Sequence, residues 1–433
     1  MIGIVAGIVW LGATFALMYL RIEPFATEFY LFAWVGLIYT VDMLIRRVEG
    51  SSLVVRCGAG FCLLLLWSTT GWFFFELLNL RLQNWYYVFV TDRELVRLVG
   101  SFASFATVFP GIFWIDHYLW QRGIATQMRS VALHLTRSRL AVFQLLGLVL
   151  LALPLLYPSY FFPLVWVGPI LIVAPINYRR GGDGLLRQLE AGIYGPTVRI
   201  LLAGLVAGLF WEFFNYWARA KWIYTVPFFD ELKLFEMPLA GFLGFPPFAL
   251  ECAVVYRFLV WHRLAPALGR FVDRKPTPMP VSLRVATIVL ATAFSFGVYR
   301  YMDRWTIASL TPRIDRIVPL DRMTRAALAA QQVDYLTELQ GYAAKRRWRA
   351  LESDLDAARL QRLRAVTQLY LHEGIGVRYG NYLVQAGIAS LADLRVLTAA
   401  EVIERLEQVD PSLDLSAKRV RVWIRRAGGT GLP

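Results

Sequence analysis

Apolar side chains run along the first two thirds of the chain in segments long enough to cross a bilayer, since a spanning helix needs about 20 apolar residues. The pattern predicts nine such segments, at residues 2–20, 27–45, 52–79, 97–120, 138–157, 159–178, 196–217, 237–262 and 281–301. Residues 303–433 differ, because they are charged, rich in arginine and helical in their periodicity. The pattern therefore predicts an all-α, polytopic membrane protein with a helical extramembrane tail.

The composition agrees with a membrane protein. The 433 residues are 57% hydrophobic with a mean hydropathy of +0.49, which is more apolar than a soluble domain of this size needs. The first apolar segment starts at Met1 without a basic n-region or a cleavage site, so we expect a retained helix rather than a signal peptide. Arginine far outnumbers lysine. This bias indicates a GC-rich bacterial genome, and hence the inner membrane of a bacterium.

The net charge of +14 comes mostly from alternate loops between the predicted spans. These loops contain Arg46, Arg47, Arg56, Arg122, Arg129, Arg137, Arg139, Arg179, Arg180, Arg187, Arg257, Arg263, Arg270, Arg274 and Lys275. Basic loops stay on the cytoplasmic side of a membrane, so the N-terminus is predicted to be cytoplasmic. With nine spans the tail after Arg304 is then predicted to be periplasmic, and one miscounted helix would reverse its side.

Two aromatic stretches, at residues 71–87 and 208–224, indicate an internal duplication. Glu76 corresponds to Glu212 and Asn79 to Asn215 at an offset of 136 residues. Trp85 corresponds to Trp222 at an offset of 137. The Phe-Pro pairs at 109–110 and 245–246 repeat the offset of 136. We therefore expect four-helix repeats over residues 1–135 and 136–275, related by an axis along the membrane normal, and a ninth helix over 276–302.

The tail contains a motif built on Gly374-Ile375-Gly376, followed by a leucine, by Ala-Gly-Ile and by an acidic residue before a leucine. The stretch over 373–394 resembles a helix-hairpin-helix domain. The resemblance implies outward-pointing backbone amides at Gly374 and Gly376, which could bind phosphate. Five apolar positions recur at an offset of 55 without the glycines. We expect a degenerate copy over 303–365 and a helix-hairpin-helix domain over 366–433.

Ionisable side chains within the apolar segments are the candidate chemistry. The candidate ligand-binding residues are Glu76, Asn79, Glu212, Asn215, Trp222, Glu236 and Glu251. A carboxylate inside a span usually faces the bundle interior or water. Two interpretations stay open: a binding site with one Glu/Asn pair from each repeat, or a hydrogen-bonded clamp between helices. The Trp-x-Tyr after each pair is typical of an aromatic belt at the membrane surface.

The segment over residues 235–252 is the other informative run, because glycines and prolines interrupt it between Glu236 and Glu251. Gly241, Gly244 and the proline pair at 246–247 predict a broken or bent helix. Irregular backbone at membrane depth is tolerated where it is buried in protein or lines a cavity. Any site should therefore lie in the second repeat, with the alternative of a simple proline kink.

These features predict binding of an apolar ligand, such as a lipid, an isoprenoid or a carotenoid, at carboxyls walled by aromatic rings. The alternative is an accessory subunit of a larger membrane complex that docks a protein partner through its tail, with a transporter as a third interpretation. Arg346 and Arg347 form a basic cluster that could contact a partner or phosphate, although the tail is too weakly basic to predict nucleic-acid binding. No motif indicates a reaction, a cofactor or a metal site.

Overall fold

The computed structural model describes residues 1–182, 184–226, 232–268, 279–340 and 344–428. The predicted loop charges Arg270, Arg274 and Lys275 lie outside these described residues. The chain divides into two compact units. The first, here called the membrane unit, contains Met1–Leu82, Leu98–Ala218 and Pro227–Arg304. The second, here called the tail unit, contains Gln83–Arg97, Arg219–Val226 and Trp305–Pro433.

Long apolar helices make up most of the membrane unit. Up to residue 305 the described α-helices are α1 (Ile2–Tyr19), α2 (Phe29–Glu49), α3 (Leu53–Cys57), α4 (Gly60–Leu82), α5 (Glu94–Ala106), α6 (Val108–Gln121), α7 (Arg137–Leu156), α8 (Pro158–Phe161), α9 (Gly168–Arg179), α10 (Leu185–Glu190), α11 (Gly195–Trp217), α12 (Phe245–Trp261) and α13 (Val281–Trp305). Two 3-10 helices cover Phe162–Trp166 and Leu239–Gly244. A hairpin of β3 (Lys233–Leu234) and β4 (Met237–Pro238) precedes the second.

Nine segments of the described chain are long and apolar enough to cross a membrane. They are Ile2–Tyr19, Phe29–Glu49, Gly60–Leu82, Glu94–Gln121, Arg137–Leu156, Pro158–Arg179, Gly195–Trp217, Leu239–Trp261 and Val281–Trp305. Their number and order confirm the prediction from hydropathy, and so does the helical tail. The protein therefore belongs to the class of multi-pass membrane proteins.

The break predicted in residues 235–252 is present. The backbone forms a 3-10 helix over Leu239–Gly244 and changes to the α-helix α12 at Phe245. Pro246 and Pro247 follow in the first turn of α12, where a missing N–H costs nothing and the fixed φ of proline suits the helix. The prolines therefore start the helix rather than kink its interior.

The two halves of the membrane unit pack alike around their Phe-Pro positions. In the first half, the backbone N–H of Phe109 donates to Ser68 Oγ on α4 at 3.0 Å. In the second half, Gly204 on α11 stands at the position 136 residues after Ser68, and a Cβ there would lie 2.5 Å from the carbonyl oxygen of Phe245. Each helix that carries a Glu/Asn pair thus makes a close contact at a Phe-Pro position. The proposed repeat boundaries stay a prediction.

The two Trp-x-Tyr motifs form a strand pair instead of a belt of isolated aromatic side chains. Strand β1 (Trp85–Val88) pairs antiparallel with β2 (Lys221–Tyr224), and Tyr86 lies opposite Ile223. In this register Trp85 faces Tyr224, just as Tyr87 faces Trp222. The register relates the two motifs by a local two-fold axis at their centre. Tyr86 and Ile223 are buried in the core of the tail unit, so these segments pack with protein side chains.

The tail unit is a bundle of short helices around one apolar core. Its described α-helices are α14 (Arg322–Ala330), α15 (Ala344–Asp354), α16 (Ala357–Tyr370), α17 (Gly376–Gln385), α18 (Leu391–Arg395), α19 (Ala399–Val409) and α20 (Ala417–Arg426), with 3-10 helices at Ile314–Arg316 and Leu336–Leu339. Leu328 and Leu383, which are 55 residues apart, are both fully buried. The spacing found in the sequence is thus a spacing of core positions.

Helix ends in the tail unit repeat at the same offset of 55 residues. Helices α15 and α19 have bounds that differ by that offset at both ends. Helix α14 is followed by Gln332 with φ +54°, and α17 by Gly387 with φ +79°. Glu338 accepts a hydrogen bond from the backbone of Asp334, as Asp393 does from Ala389. The acidic residue of the motif therefore fixes the turn before its short helix.

Candidate functional site

Three of the predicted carboxyl side chains lie inside long helices of the membrane unit, each on a different helix. Glu76 is on α4, Glu212 on α11 and Glu251 on α12, and each side chain is almost fully buried. Burial in an apolar interior strongly disfavours an unpaired carboxylate. Groups at these positions must therefore be hydrogen-bonded, be protonated or bind something polar.

Aromatic rings contact one another between these helices. The rings of Trp72, Phe75, Trp166, Trp211, Phe245 and Phe248 form one chain of contacts, here called the aromatic cluster. The centroids of Trp72 and Trp211 are 5.1 Å apart, which joins α4 to α11. Phe248 adds α12, with its centroid 5.8 Å from that of Trp72. Ring contacts of this kind stabilise the packing of helices by more than the apolar area that they bury.

Each buried carboxyl lies within one turn of a ring of the aromatic cluster on its own helix. Trp72 Nε1 donates a hydrogen bond to Glu76 Oε1 at 3.0 Å. Glu212 directly follows Trp211 on α11, and Glu251 lies one helical turn after Phe248 on α12. The three carboxyls thus lie on helices whose rings contact one another. A binding site that both halves share stays a prediction.

The remaining polar candidates of the membrane unit are buried too. Asn79 and Asn215 lie on α4 and α11, one turn beyond their glutamates. Glu236 lies in the turn between β3 and β4 and is buried. The ring of the preceding residue, Phe235, contacts Phe213 on α11 at a centroid distance of 5.5 Å. This turn therefore packs on the same helix that carries Glu212.

Glu251 differs from a carboxylate with a purely structural role. Asp42 on α2 is equally buried, and its Oδ1 accepts from the backbone N–H of Leu53 at 2.8 Å and from Trp114 Nε1 at 2.9 Å. For Glu251, only 3% exposed, the oxygen Oε2 has no hydrogen-bond partner among the described residues. A buried acceptor without a partner costs about 1–3 kcal/mol, so it indicates a missing partner or a bound proton.

Trp222 does not belong to the membrane unit. It lies in β2 of the tail unit, where its Nε1 donates to the hydroxyl of Tyr224 at 2.9 Å. The sequence grouped Trp222 with the carboxyls because it follows the Glu/Asn pair closely along the chain. The end of α11 at Trp217 separates them, because the chain then enters the other compact unit.

The Gly-Ile-Gly turn of the tail is buried. Gly374 and Gly376 have φ values of +93° and +62°, as the resemblance implies. A Cβ on Gly374 would lie 2.7 Å from the hydroxyl of Tyr86 and 2.8 Å from Trp423 Nε1. The glycines thus make room for neighbouring side chains of the tail unit. Beside the turn, burial lowers the pKa of His372 to about 4. Phosphate binding at this turn stays a prediction, and the packing does not favour it.

The two arginines of the basic cluster have different surroundings. Arg347 Nη2 bonds to Glu338 Oε1 at 3.2 Å, and its Nη1 donates to the backbone carbonyl of Glu338. Arg346 is exposed. Trp348, which follows the two arginines, donates from Nε1 to the carbonyl oxygen of Leu339 and packs on the tail core. Arg346 is exposed to a partner or a phosphate, whereas Arg347 fixes the preceding turn.

Arg199 is a residue that the sequence analysis did not single out. It lies in the first turns of α11, and its Nε donates to Asp116 Oδ1 on α6 at 2.8 Å, with both side chains buried. In the sequence Arg199 resembles any arginine near the end of a span. Asp116, an acidic residue at the end of a span, was the available signal for a buried partner. No group of three metal-ligating His, Cys, Asp or Glu side chains occurs in the described part of the chain.

Comparisons with known proteins bear only on the tail. A family model described as Domain of unknown function (DUF4332) matches residues 322–429. The match covers the repeated helices of the tail unit and none of the nine candidate spans. Searches of curated proteins and of solved structures found no match. The fold and the buried side chains therefore define a class, a multi-pass helical membrane protein with a helical tail similar to this domain family.

Proposed function

We propose that the membrane unit binds an apolar ligand, a lipid or an isoprenoid such as a carotenoid, with its polar end at Glu251. The observation that carries the proposal is the oxygen Oε2 of Glu251, which is buried and lacks a hydrogen-bond partner among the described residues. A ligand hydroxyl or headgroup would supply that partner. The aromatic cluster one turn away would contact the apolar part of the ligand.

Glu212 and Glu76 extend the polar lining toward the other helices, and Asn79, Asn215 and Glu236 would add hydrogen bonds. A protonated carboxyl can donate a hydrogen bond, and beside aromatic faces it could also protonate an alkene and shelter the cation. The proposal concerns binding and assigns no reaction. The competing interpretation, a clamp between helices, is supported at Glu76, since Trp72 already donates to it.

The test replaces Glu251 by glutamine, which has the same shape and cannot ionise. Wild-type and variant proteins are purified in mild detergent, and native mass spectrometry measures the retained small molecules. We expect the retained ligand to fall about tenfold, the equivalent of one charge-assisted hydrogen bond of about 1.4 kcal/mol. The thermal unfolding midpoint without added ligand should stay unchanged. The matched control is Asp42→Asn, which should lower the midpoint and spare the ligand.

Three outcomes would replace this proposal. A stoichiometric protein partner with no retained small molecule would favour the accessory-subunit alternative. Unfolding of Glu251→Gln would favour the clamp. Proton-coupled uptake that is lost in Glu251→Gln would favour a transporter.

We infer that the N-terminus is cytoplasmic and that the tail is periplasmic. The basic loops carry the first part of this inference. Support for the second part comes from the tail unit, which contains the segments after the third, seventh and ninth spans. All three follow odd-numbered spans, as they must if the span count is right.

A cysteine-free chain carrying Ser353→Cys on the exposed end of α15 tests this topology. An impermeant maleimide should label it in cells with only the outer membrane permeabilised. Labelling that needs a permeable inner membrane would place the tail in the cytoplasm.

We further infer that the tail consists of two helix-hairpin-helix-like copies, the first over 303–365 and the second over 366–433. Support comes from helix bounds, turn residues and acidic turn contacts that repeat at an offset of 55. Because its glycine turn is buried, this tail suits contact with protein more than with nucleic acid. We expect the wild-type and Arg346→Ala proteins to elute together from a heparin column. We also expect them to bind a duplex DNA equally weakly. A selective loss of DNA binding in the variant would overturn this inference.

A further inference from the structure

A second, separate polar site lies in the membrane unit at the N-terminal end of α11. A cavity of about 170 Å³ has the polar lining residues Asp116, Gln188, Thr197, Arg199 and Arg257. A water molecule takes about 30 Å³ of the liquid, so the cavity has room for a phosphate-sized group. It lies between α6, α10, α11 and α12 and does not include Glu76, Glu212 or Glu251.

Arg199 supplies a buried donor to this cavity. The residue is 2% exposed, and its Nε is bonded to Asp116. Its Nη1 is buried and has no hydrogen-bond partner among the residues that the structure describes. A guanidinium with one bonded nitrogen and one open nitrogen can donate to an anion while it keeps its first partner. Leaving the charged donor unmet costs free energy, which binding of an acceptor would recover.

Thr197 adds a second donor at the same wall. Its Oγ1 is buried without a hydrogen-bond partner in the described part of the chain. Thr197 is the third residue of α11, a helix of 23 residues, and the positive end of such a helix favours an anion. The hydroxyl and the helix end thus favour an anionic ligand, as Arg199 does.

The charged lining residues of the cavity are Arg199, Arg257 and Asp116. The open groups among the described residues are the guanidinium nitrogen of Arg199 and the hydroxyl of Thr197. A charged donor and a hydroxyl are suited to a ligand with acceptor oxygens and unsuited to a purely apolar molecule.

We propose that this cavity binds a phosphate group through Arg199 and Thr197. Phosphate matches the donors because it offers several acceptor oxygens and at least one negative charge. The group comes either from the headgroup of an anionic lipid or from free phosphate, and both present the same oxygens. This site is independent of the ligand proposed at Glu251.

The experiment uses the full chain in detergent with two probes. Inorganic phosphate tests the free anion by a shift in the thermal unfolding midpoint. Phosphatidic acid, compared with diacylglycerol of the same acyl chains, tests the headgroup by native mass spectrometry. A shift with inorganic phosphate identifies free phosphate as sufficient, whereas selective retention of phosphatidic acid alone identifies the lipid. If the wild-type protein shows neither response, the proposal is overturned.

The variant Thr197→Val keeps the shape and removes the hydroxyl, and it leaves the bond between Arg199 and Asp116 intact. We expect about tenfold weaker binding of whichever probe the wild-type protein binds. Arg199→Lys keeps the positive charge and loses the planar guanidinium with its several N–H donors. It should therefore weaken binding at least as much. Its folding is checked by the unfolding midpoint without probe. Unchanged binding in a folded Thr197→Val variant would refute the site, and this holds even if Arg199→Lys fails to fold.

The Glu251→Gln variant separates the two proposals. It should bind the phosphate probe as the wild-type protein does, since Glu251 does not line this cavity. Loss of the phosphate response in that variant would contradict an independent site.

Discussion

The Gly-Ile-Gly turn of the tail allows a direct test of its buried position. Replacing Gly374 by alanine puts a Cβ 2.7 Å from the Tyr86 hydroxyl and 2.8 Å from Trp423 Nε1. Both side chains are buried and cannot move aside easily. Overpacking of this kind costs about 1–3 kcal/mol. The positive φ of +93° adds backbone strain of about 1–2 kcal/mol for a residue with a Cβ.

Gly387 offers a matched control, because it follows the C-terminal end of α17 as Gly374 precedes its N-terminal end. Its φ is +79°, and a Cβ there would have no heavy atom within 4 Å. Gly387→Ala therefore carries the backbone strain without the crowding. Both substitutions reduce the freedom of the unfolded chain equally. The difference between the two variants should then be the overpacking alone, about 1–3 kcal/mol.

Hydrogen exchange of the full chain in detergent measures this difference. The backbone amides of α17, which lies between the two glycines, report the free energy of local opening. They should exchange about tenfold to a hundredfold faster in Gly374→Ala than in Gly387→Ala, since about 1.4 kcal/mol is a factor of ten. Adding Tyr86→Phe to the first variant should recover part of the loss. Equal exchange in both single variants would show that Tyr86 and Trp423 do not cover the turn.

Three further predictions concern single positions. Gln332→Gly should stabilise the tail by about 1 kcal/mol, because Gln332 holds a φ of +54° that glycine adopts freely, and slower exchange of α14 amides would show it. His372 keeps a folded pKa of about 4 because it is buried, below its ordinary value near 6.5. The unfolded chain therefore binds the proton first, and stability should fall by about 2–3 kcal/mol as pH drops from 6.5 to 4; this slope should vanish in His372→Gln. Gly204→Ala should lower the unfolding midpoint, because its Cβ would meet the Phe245 carbonyl at 2.5 Å, whereas Gly297→Ala, with open space, should not.

The membrane spans could be predicted from the sequence because a bilayer imposes a local rule. Each helix must satisfy its own backbone in lipid, so length and apolarity of one segment are enough to identify it. All nine predicted spans are present, with ends that differ by up to eight residues. The break before α12 was equally local, since it depends on the proline pair at 246–247.

The candidate site was only partly predictable. The buried carboxyls Glu76, Glu212 and Glu251 could be found because an ionisable group in an apolar run is rare. Their contacts could not, because Trp72 and Trp211 meet across 139 residues of chain. Trp222 was assigned by closeness along the chain, which says nothing about the compact unit a residue joins.

By itself the sequence determined the class of protein, the helical spans, the offset of 55 in the tail and the identity of the buried carboxyls. These depend on side-chain type and on short periods along the chain. Only the tertiary structure decided that β1 pairs with β2, that Tyr86 covers Gly374 and that Arg199 meets Asp116. Each of these contacts joins distant segments. Their formation depends on how whole helices pack, and no local pattern contains that information.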